Sequence, residues 1–381
     1  MRIALAGLAA LAVAMGVGRF AFTPILPMML QDAGLSVAGG GWLASANYLG
    51  YLVGALWAGA QRVHAAPAIR AGLAAIALST LAMTLDAGFA AWAVLRFIAG
   101  VASAWVLVHT SSWCLERILP LRRPILPGVL FAGVGTGVAM AGLLCLVLMA
   151  AHASSSSAWL LLGIAALALT GAVWGVFSNS GEYQTQSHAP ARWSRAQAWL
   201  IIAYGCYGFG YIIPATFLPV MAREVASDPA VFGWAWPVFG IAAALSTLGV
   251  AILSGRYGTR SAWIGSHLVM ALGVAAPVYW PGAPGILLAA LCVGGTFVVI
   301  TMVGLQEART IVGKEGNANP APLMAAMTAA FAAGQIAGPL SVSLLAGAGG
   351  GFTTALLSAS AVLVAGALLL MRKPGFPLLR E

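Results

Sequence analysis

Apolar runs of about 20 residues, separated by short polar connections, recur twelve times along this chain of 381 residues. A run of that length matches an α-helix crossing the hydrocarbon core of a bilayer. Lipid offers no partner to a free backbone N–H or C=O, so a single segment can span only by pairing its own backbone as a helix. A transmembrane β-barrel would show short segments of alternating polarity instead. Composition agrees, with 61% hydrophobic and 7% charged residues, against roughly 25% charged in a soluble domain. The chain therefore predicts an all-α integral membrane protein with twelve transmembrane helices. The first run follows Met1-Arg2 as a secretory signal would. It continues through Arg19 to Leu30 and eleven more runs follow, so it reads as the first span. Span four is expected to end near Trp113 and span ten near Leu305.

The longest polar connection, Ser178 to Arg195, lies near the midpoint. It divides the chain into a six-helix bundle over 1–178, a cytoplasmic linker over 179–195 and a second six-helix bundle over 196–381. A repeat supports the division. At an offset of 192 residues, Gly16, Gly18, Leu26, Pro27 and Met29 meet Gly208, Gly210, Leu218, Pro219 and Met221, and Gly41-Trp42 meets Gly233-Trp234. The apolar frame repeats while the charge does not, because Arg19 meets Tyr211. Parallel halves of this kind place a substrate near the midplane between them.

The formal net charge of +9 follows topology. With the N-terminus in the cytoplasm, fifteen Lys and Arg residues fall on the inner face and only Arg223 on the outer one, beside Asp32, Asp86, Glu224 and Asp228. That is the positive-inside pattern of a multi-pass protein of the bacterial inner membrane with both termini cytoplasmic. It leaves no basis for nucleic-acid binding. Cys114, Cys145, Cys206 and Cys292 have neither redox nor metal spacing, so free thiols are expected. No phosphate-cradling glycine loop of the Walker type occurs, so neither ATP nor any cofactor or metal is implied.

Several stretches resemble a known family. Gly18-Arg19-Phe20 with Pro24 and Leu26-Pro27, Trp42 to Tyr51, Gly208-Phe209-Gly210-Tyr211 through Pro219, Gln306-Glu307-Ala308-Arg309, and Met327-Thr328 through Gln335 resemble the YbfB/YjiJ-type branch of the major facilitator superfamily. The resemblance covers essentially the whole chain. It implies a transporter, not an enzyme, working by alternating access, with a small-molecule substrate. Arg96 with Gly100 and Ala104 resembles a fourth-span motif linked to proton coupling in relatives. Gly338-Pro339 resembles an exporter motif that belongs in span five, where this chain has only scattered glycines. The loop Gln61-Arg62-Val63-His64 lacks the acidic residue that the family's inner gate carries, while Gly255-Arg256 through Arg260 keeps the basic pattern.

Among candidate site residues Arg19 stands first. No acidic residue lies within ten positions of it, and a charge at mid-membrane costs about 3 kcal/mol on insertion scales. It is expected either to hold an anionic group or to cap backbone carbonyls where Pro24 and Pro27 weaken the helix. α-Helical spacing puts Gly16, Arg19 and Thr23 on one face. Asn47 and Tyr51 share a face of span two, Tyr204, Tyr207 and Tyr211 form a stripe on span seven, and Gln335 lies in span eleven. Together Arg19, Thr23, Asn47, Tyr51, Tyr207, Tyr211 and Gln335 are the expected substrate contacts. Arg96, Glu307, Arg309, Arg256 and Arg260 are the expected coupling or gating set, with Glu307 paired to Arg309 or Arg256 or else carrying a proton. His109 and His267 are weaker coupling candidates.

The combined expectation is a monomeric secondary transporter of a small organic solute, an organic anion in view of the two buried arginines, coupled to protons. Export of amphipathic drugs or metabolites by proton antiport is the alternative.

Overall fold

The structure, a computed structural model, describes residues 1–60, 63–177, 193–225, 234–316, 319–347 and 351–372, without the side chains of 37–38, 216–225, 235, 254–256, 283, 339–347 and 351–352. It contains twelve long helices, and no strand occurs among the described residues. They are α1 (Arg2–Asp32), α2 (Val37–Ala60), α3 (Ala65–Ala82), α4 (Gly88–Ile118), α5 (Ile125–Ala150), α6 (Ser155–Val173), α7 (Arg195–Val225), α8 (Ala235–Tyr257), α9 (Thr259–Tyr279), α10 (Ala283–Lys314), α11 (Ala321–Gly347) and α12 (Gly351–Met371). Eleven are long and apolar enough to cross a membrane, and α2 runs 24 residues without a charged side chain. Helices α4 and α10 continue beyond the expected Trp113 and Leu305, so Glu307 and Arg309 belong to α10 itself. The four cysteines are free thiols.

Below, the face bearing Met1 and the end of α12 is called the terminal face and the opposite one the far face. Most of the linker, Asp228, Arg62, Lys373, Arg380 and the side chains of Arg223, Glu224 and Arg256 lie outside the described residues.

Helix α1 is not a uniform α-helix. Between Arg2–Leu11 and Phe22–Asp32 the backbone is π-helical over Ala12–Phe20. A π-turn bonds residue i to i+5 and so rotates everything beyond it relative to an α-helix. Pro24 adds to the break, having no N–H to offer the carbonyls of Arg19 and Phe20.

Small residues set the packing. On α5, Gly133 and Gly137 face α1, where an added Cβ would overlap the backbone of Leu8 and of Ala12 and Gly16. Gly128, Gly135 and Gly142 face α8, against Thr247 and Ala251, Gly240 and Ala244, and Pro237. Close backbone approach of this sort is how helices associate where lipid removes the hydrophobic drive. The glycines of span five, which as an exporter signal were isolated from their motif, thus have a packing explanation. The first six helices meet the last six mainly through α5 with α8 and α2 with α11. The sequence offset maps α2 onto α8 and α5 onto α11, so these two seams are copies of each other. At the terminal end of the second seam Gly59 meets Ala325, and at its middle Tyr51 meets Phe331.

Candidate functional site

Arg19 sits at the end of the π-helical stretch and is 3% exposed. The α-helical assumption that grouped it with Gly16 and Thr23 fails because of the π-turns. Gly16 packs on Gly137 of α5, whereas the Arg19 guanidinium points to α2 and α11. Thr23 is half-buried beyond the break.

The Arg19 guanidinium carbon lies 4.0 Å from the centroid of the Tyr51 ring and 5.3 Å from that of Phe331, with Phe20 and Tyr48 at 5.2 and 5.7 Å. Its Nη2 donates a short hydrogen bond to Oε1 of Gln335 on α11. Its Nε and Nη1 have no partner, nor has Nε2 of Gln335. Among the described residues the ion pairs are Arg117–Glu116 and Arg260–Glu307, and neither involves Arg19. A cation–π contact in a desolvated place supplies about 2 kcal/mol. That is close to the roughly 3 kcal/mol cost of the buried charge, but the guanidinium's remaining donors stay unfilled.

Tyr211 is buried beside Gln335, its hydroxyl close to the Gln335 side chain but in no hydrogen bond of normal geometry. Its ring stacks between Phe297 (4.9 Å, 14°) and Phe331 (5.7 Å, 15°). Tyr207 is engaged differently, donating to the Phe297 carbonyl at 2.8 Å and lying 3.3 Å from the Thr301 hydroxyl. Arg19 and Tyr211, mates in the internal repeat, therefore meet at one shared residue, Gln335.

Arg96 and Asn47 hold this arrangement from behind. Arg96, 3% exposed, donates from Nη1 to the Gly18 carbonyl at 3.2 Å and from Nη2 to the Arg19 carbonyl at 3.1 Å. Asn47 Nδ2 donates to the same Gly18 carbonyl at 3.2 Å and to the Arg96 carbonyl at 2.9 Å. Carbonyl capping was an alternative considered for Arg19; the structure gives that work to Arg96, at the junction where the π stretch returns to α-helix. Phe22 and Trp159 flank its guanidinium at 5.0 and 5.9 Å. Ser103 donates to the Ala14 carbonyl at 2.7 Å, a third side chain on the same irregular backbone.

Comparison with known proteins decides the family. The family described as "Uncharacterised MFS-type transporter YbfB" matches residues 11–371. The chain belongs to the major facilitator superfamily, in its YbfB-type branch. The transporter is similar to a gallate transporter of Pseudomonas putida, 28% identical over 215 residues, covering 55% of this chain and 47% of that protein. It is also similar to the uncharacterised transporter YceJ of Bacillus subtilis (strain 168), 31% identical over 130 residues, covering 34% and 31%. These matches span less than half the length of either relative. Among solved structures, that of the human organic anion transporter MFSD10 (TETRAN) has a TM-score of 0.72, covers 97% of this chain and 98% of its own, and is 14% identical. That likeness is one of fold.

The expected gating set of this transporter is dispersed. Glu307 does not pair with Arg309. Its Oε2 accepts from Thr259 at 2.6 Å and its Oε1 lies 3.8 Å from Arg260 Nη1. Arg260 also donates to the carbonyls of Leu370 at 2.7 Å and Arg372 at 3.0 Å. The cluster joins α9, α10 and α12 within the second half. Arg309, half-buried, leaves Nη1 unpartnered. His109 is buried against Trp105, and His267 approaches the Ala203 carbonyl at 3.3 Å; neither reaches Arg19. The sequence reading missed Phe331 and Phe297. A signal existed, since Phe331 is four residues before Gln335 and Phe297 four before Thr301, which puts each on the face of a buried polar group.

Proposed function

We propose that this transporter carries a small organic anion by secondary active transport, with Arg19 as the residue that takes the anionic group. One observation carries the reading: a guanidinium buried between the two halves, two of its three nitrogens unpartnered, with no carboxylate at ion-pair distance among the described residues. A carboxylate or similar oxyanion offers the charge and the paired acceptors that a guanidinium fork matches. The gallate transporter among the relatives is an anion carrier by name, which agrees. The contacts lie on both sides of the seam between α2 and α11, as alternating access requires, with 1–178 and 196–381 rocking as bodies about the site and 179–195 as their cytoplasmic tether. We place the protein in a bacterial inner membrane with both termini inside, on the distribution of Lys and Arg, and take it to act as a monomer. We take the proton as the coupling ion, because the carboxylates of the sequence are too scattered to cage a hard cation.

The test is thermal stability of the purified full chain against panels of small carboxylates, neutral amides and amines at two pH values. Carboxylates should raise the melting temperature, and Arg19→Gln should abolish that rise. Stabilisation by amines alone would overturn the reading.

A further inference from the structure

Resting on that reading, we propose that the anion is a carboxylate borne on a single aromatic ring, and that the Gln335 side chain is the stand-in which this substrate displaces. Gln335 is a poor partner for Arg19 on both sides of the contact. A neutral carboxamide oxygen satisfies one of the guanidinium's nitrogens and leaves the charge uncompensated, while its own Nε2 stays unpartnered. Buried polar groups are rarely left in this state, and each unmade bond is costly. A carboxylate placed where Oε1 now sits would accept from two guanidinium nitrogens at once. The Tyr211 hydroxyl, beside Gln335, is placed to donate to the same group.

The walls around this polar point are flat. Tyr51 lies under the guanidinium at 4.0 Å. Tyr211 is held between Phe297 and Phe331 with interplanar angles of 14° and 15°. Here these rings pack against one another. Separation of the halves along the α2–α11 seam parts Arg19 and Tyr51 from Gln335 and Phe331. It exposes a cation on one wall and ring faces on the other. A guest that fills that gap must end in an anion and present a planar apolar body. Offset stacking and edge contacts reward an aromatic ring beyond its buried area, a gain that a saturated ring of equal size does not share.

The experiment is isothermal titration of the full-length protein in detergent with benzoate, cyclohexanecarboxylate, benzamide and benzylamine, on wild type, Gln335→Leu and Gln335→Glu. Benzoate should bind about tenfold tighter than cyclohexanecarboxylate, and benzamide not measurably. Gln335→Leu should bind benzoate as well as or better than wild type, having lost the internal competitor. Gln335→Glu should lose at least tenfold, because a resident carboxylate neutralises Arg19. Equal affinity for the two carboxylates would overturn the aromatic assignment while leaving the anion reading in place. Binding of benzylamine with neither carboxylate, or binding of no probe, would overturn both. Tenfold weaker benzoate binding by Gln335→Leu would overturn the stand-in role and make Gln335 a substrate ligand.

Discussion

Removing Arg96 and Asn47 singly and together measures how firmly the irregular backbone of α1 is held. Arg96→Met deletes two charge-assisted hydrogen bonds, to the Gly18 carbonyl at 3.2 Å and the Arg19 carbonyl at 3.1 Å. Such bonds contribute about 1.5–3 kcal/mol each. The substitution also removes a buried charge, which recovers about 3 kcal/mol. The net loss should be about 0–3 kcal/mol, smaller than the contact list alone suggests. Asn47→Ala deletes two neutral bonds, at 3.2 and 2.9 Å, and between membrane helices these average about 0.6 kcal/mol, so it should cost about 1–2 kcal/mol. The two side chains share one acceptor. In either single variant the Gly18 carbonyl keeps a side-chain donor; in the double variant it keeps neither. The double variant should therefore lose at least about 1 kcal/mol more than the sum of the singles, above the roughly 0.3–0.5 kcal/mol scatter expected of independent sites. Equilibrium unfolding in mixed micelles, followed by tryptophan fluorescence, gives the four free energies. Because the clamp sets where Arg19 points, the double variant should also weaken benzoate binding. Additivity within that scatter, with benzoate affinity unchanged, would refute the shared clamp and return Arg96 to the coupling role that its motif suggests.

Two further expectations concern packing and topology. Gly137→Val should prevent accumulation of folded protein, since a Cβ there meets the backbone of Ala12 and Gly16 at up to 2.9 Å, whereas Gly171→Ala, facing open space, should leave the melting temperature unchanged; equal behaviour of the two in a size-exclusion and thermal assay would refute the close-approach account of α5. Cysteine placed by Arg123→Cys, in the exposed turn between α4 and α5, should resist a membrane-impermeant maleimide in intact cells while His152→Cys, exposed between α5 and α6, is labelled; the reverse pattern would invert the proposed orientation.

What could be read in advance, and what could not, divides along a physical line. The twelve spans and the oddity of Arg19 follow from hydropathy and charge, which are properties of single residues and their near neighbours. The repeat at an offset of 192 already paired Arg19 with Tyr211, and both helices bring those positions to the middle of the molecule. The contacts between helices were not legible. Grouping Gly16, Arg19 and Thr23 on one face assumed 3.6 residues per turn, and the π stretch over Ala12–Phe20 breaks that assumption where it mattered most. Its clues, two glycines before Arg19 and Pro24 after it, mark an irregular backbone without telling which way the arginine turns. Arg96 looked like a second free charge because sequence shows a cation and not the carbonyls it meets; once those carbonyls are found, Arg96 keeps only Nε unpartnered, whereas Arg19 keeps both Nε and Nη1. Two arginines of equal burial thus separate by their partners. One is consumed by the backbone it holds. The other keeps two open nitrogens and a replaceable amide, and an anion-binding role belongs to the one whose valence is unfilled.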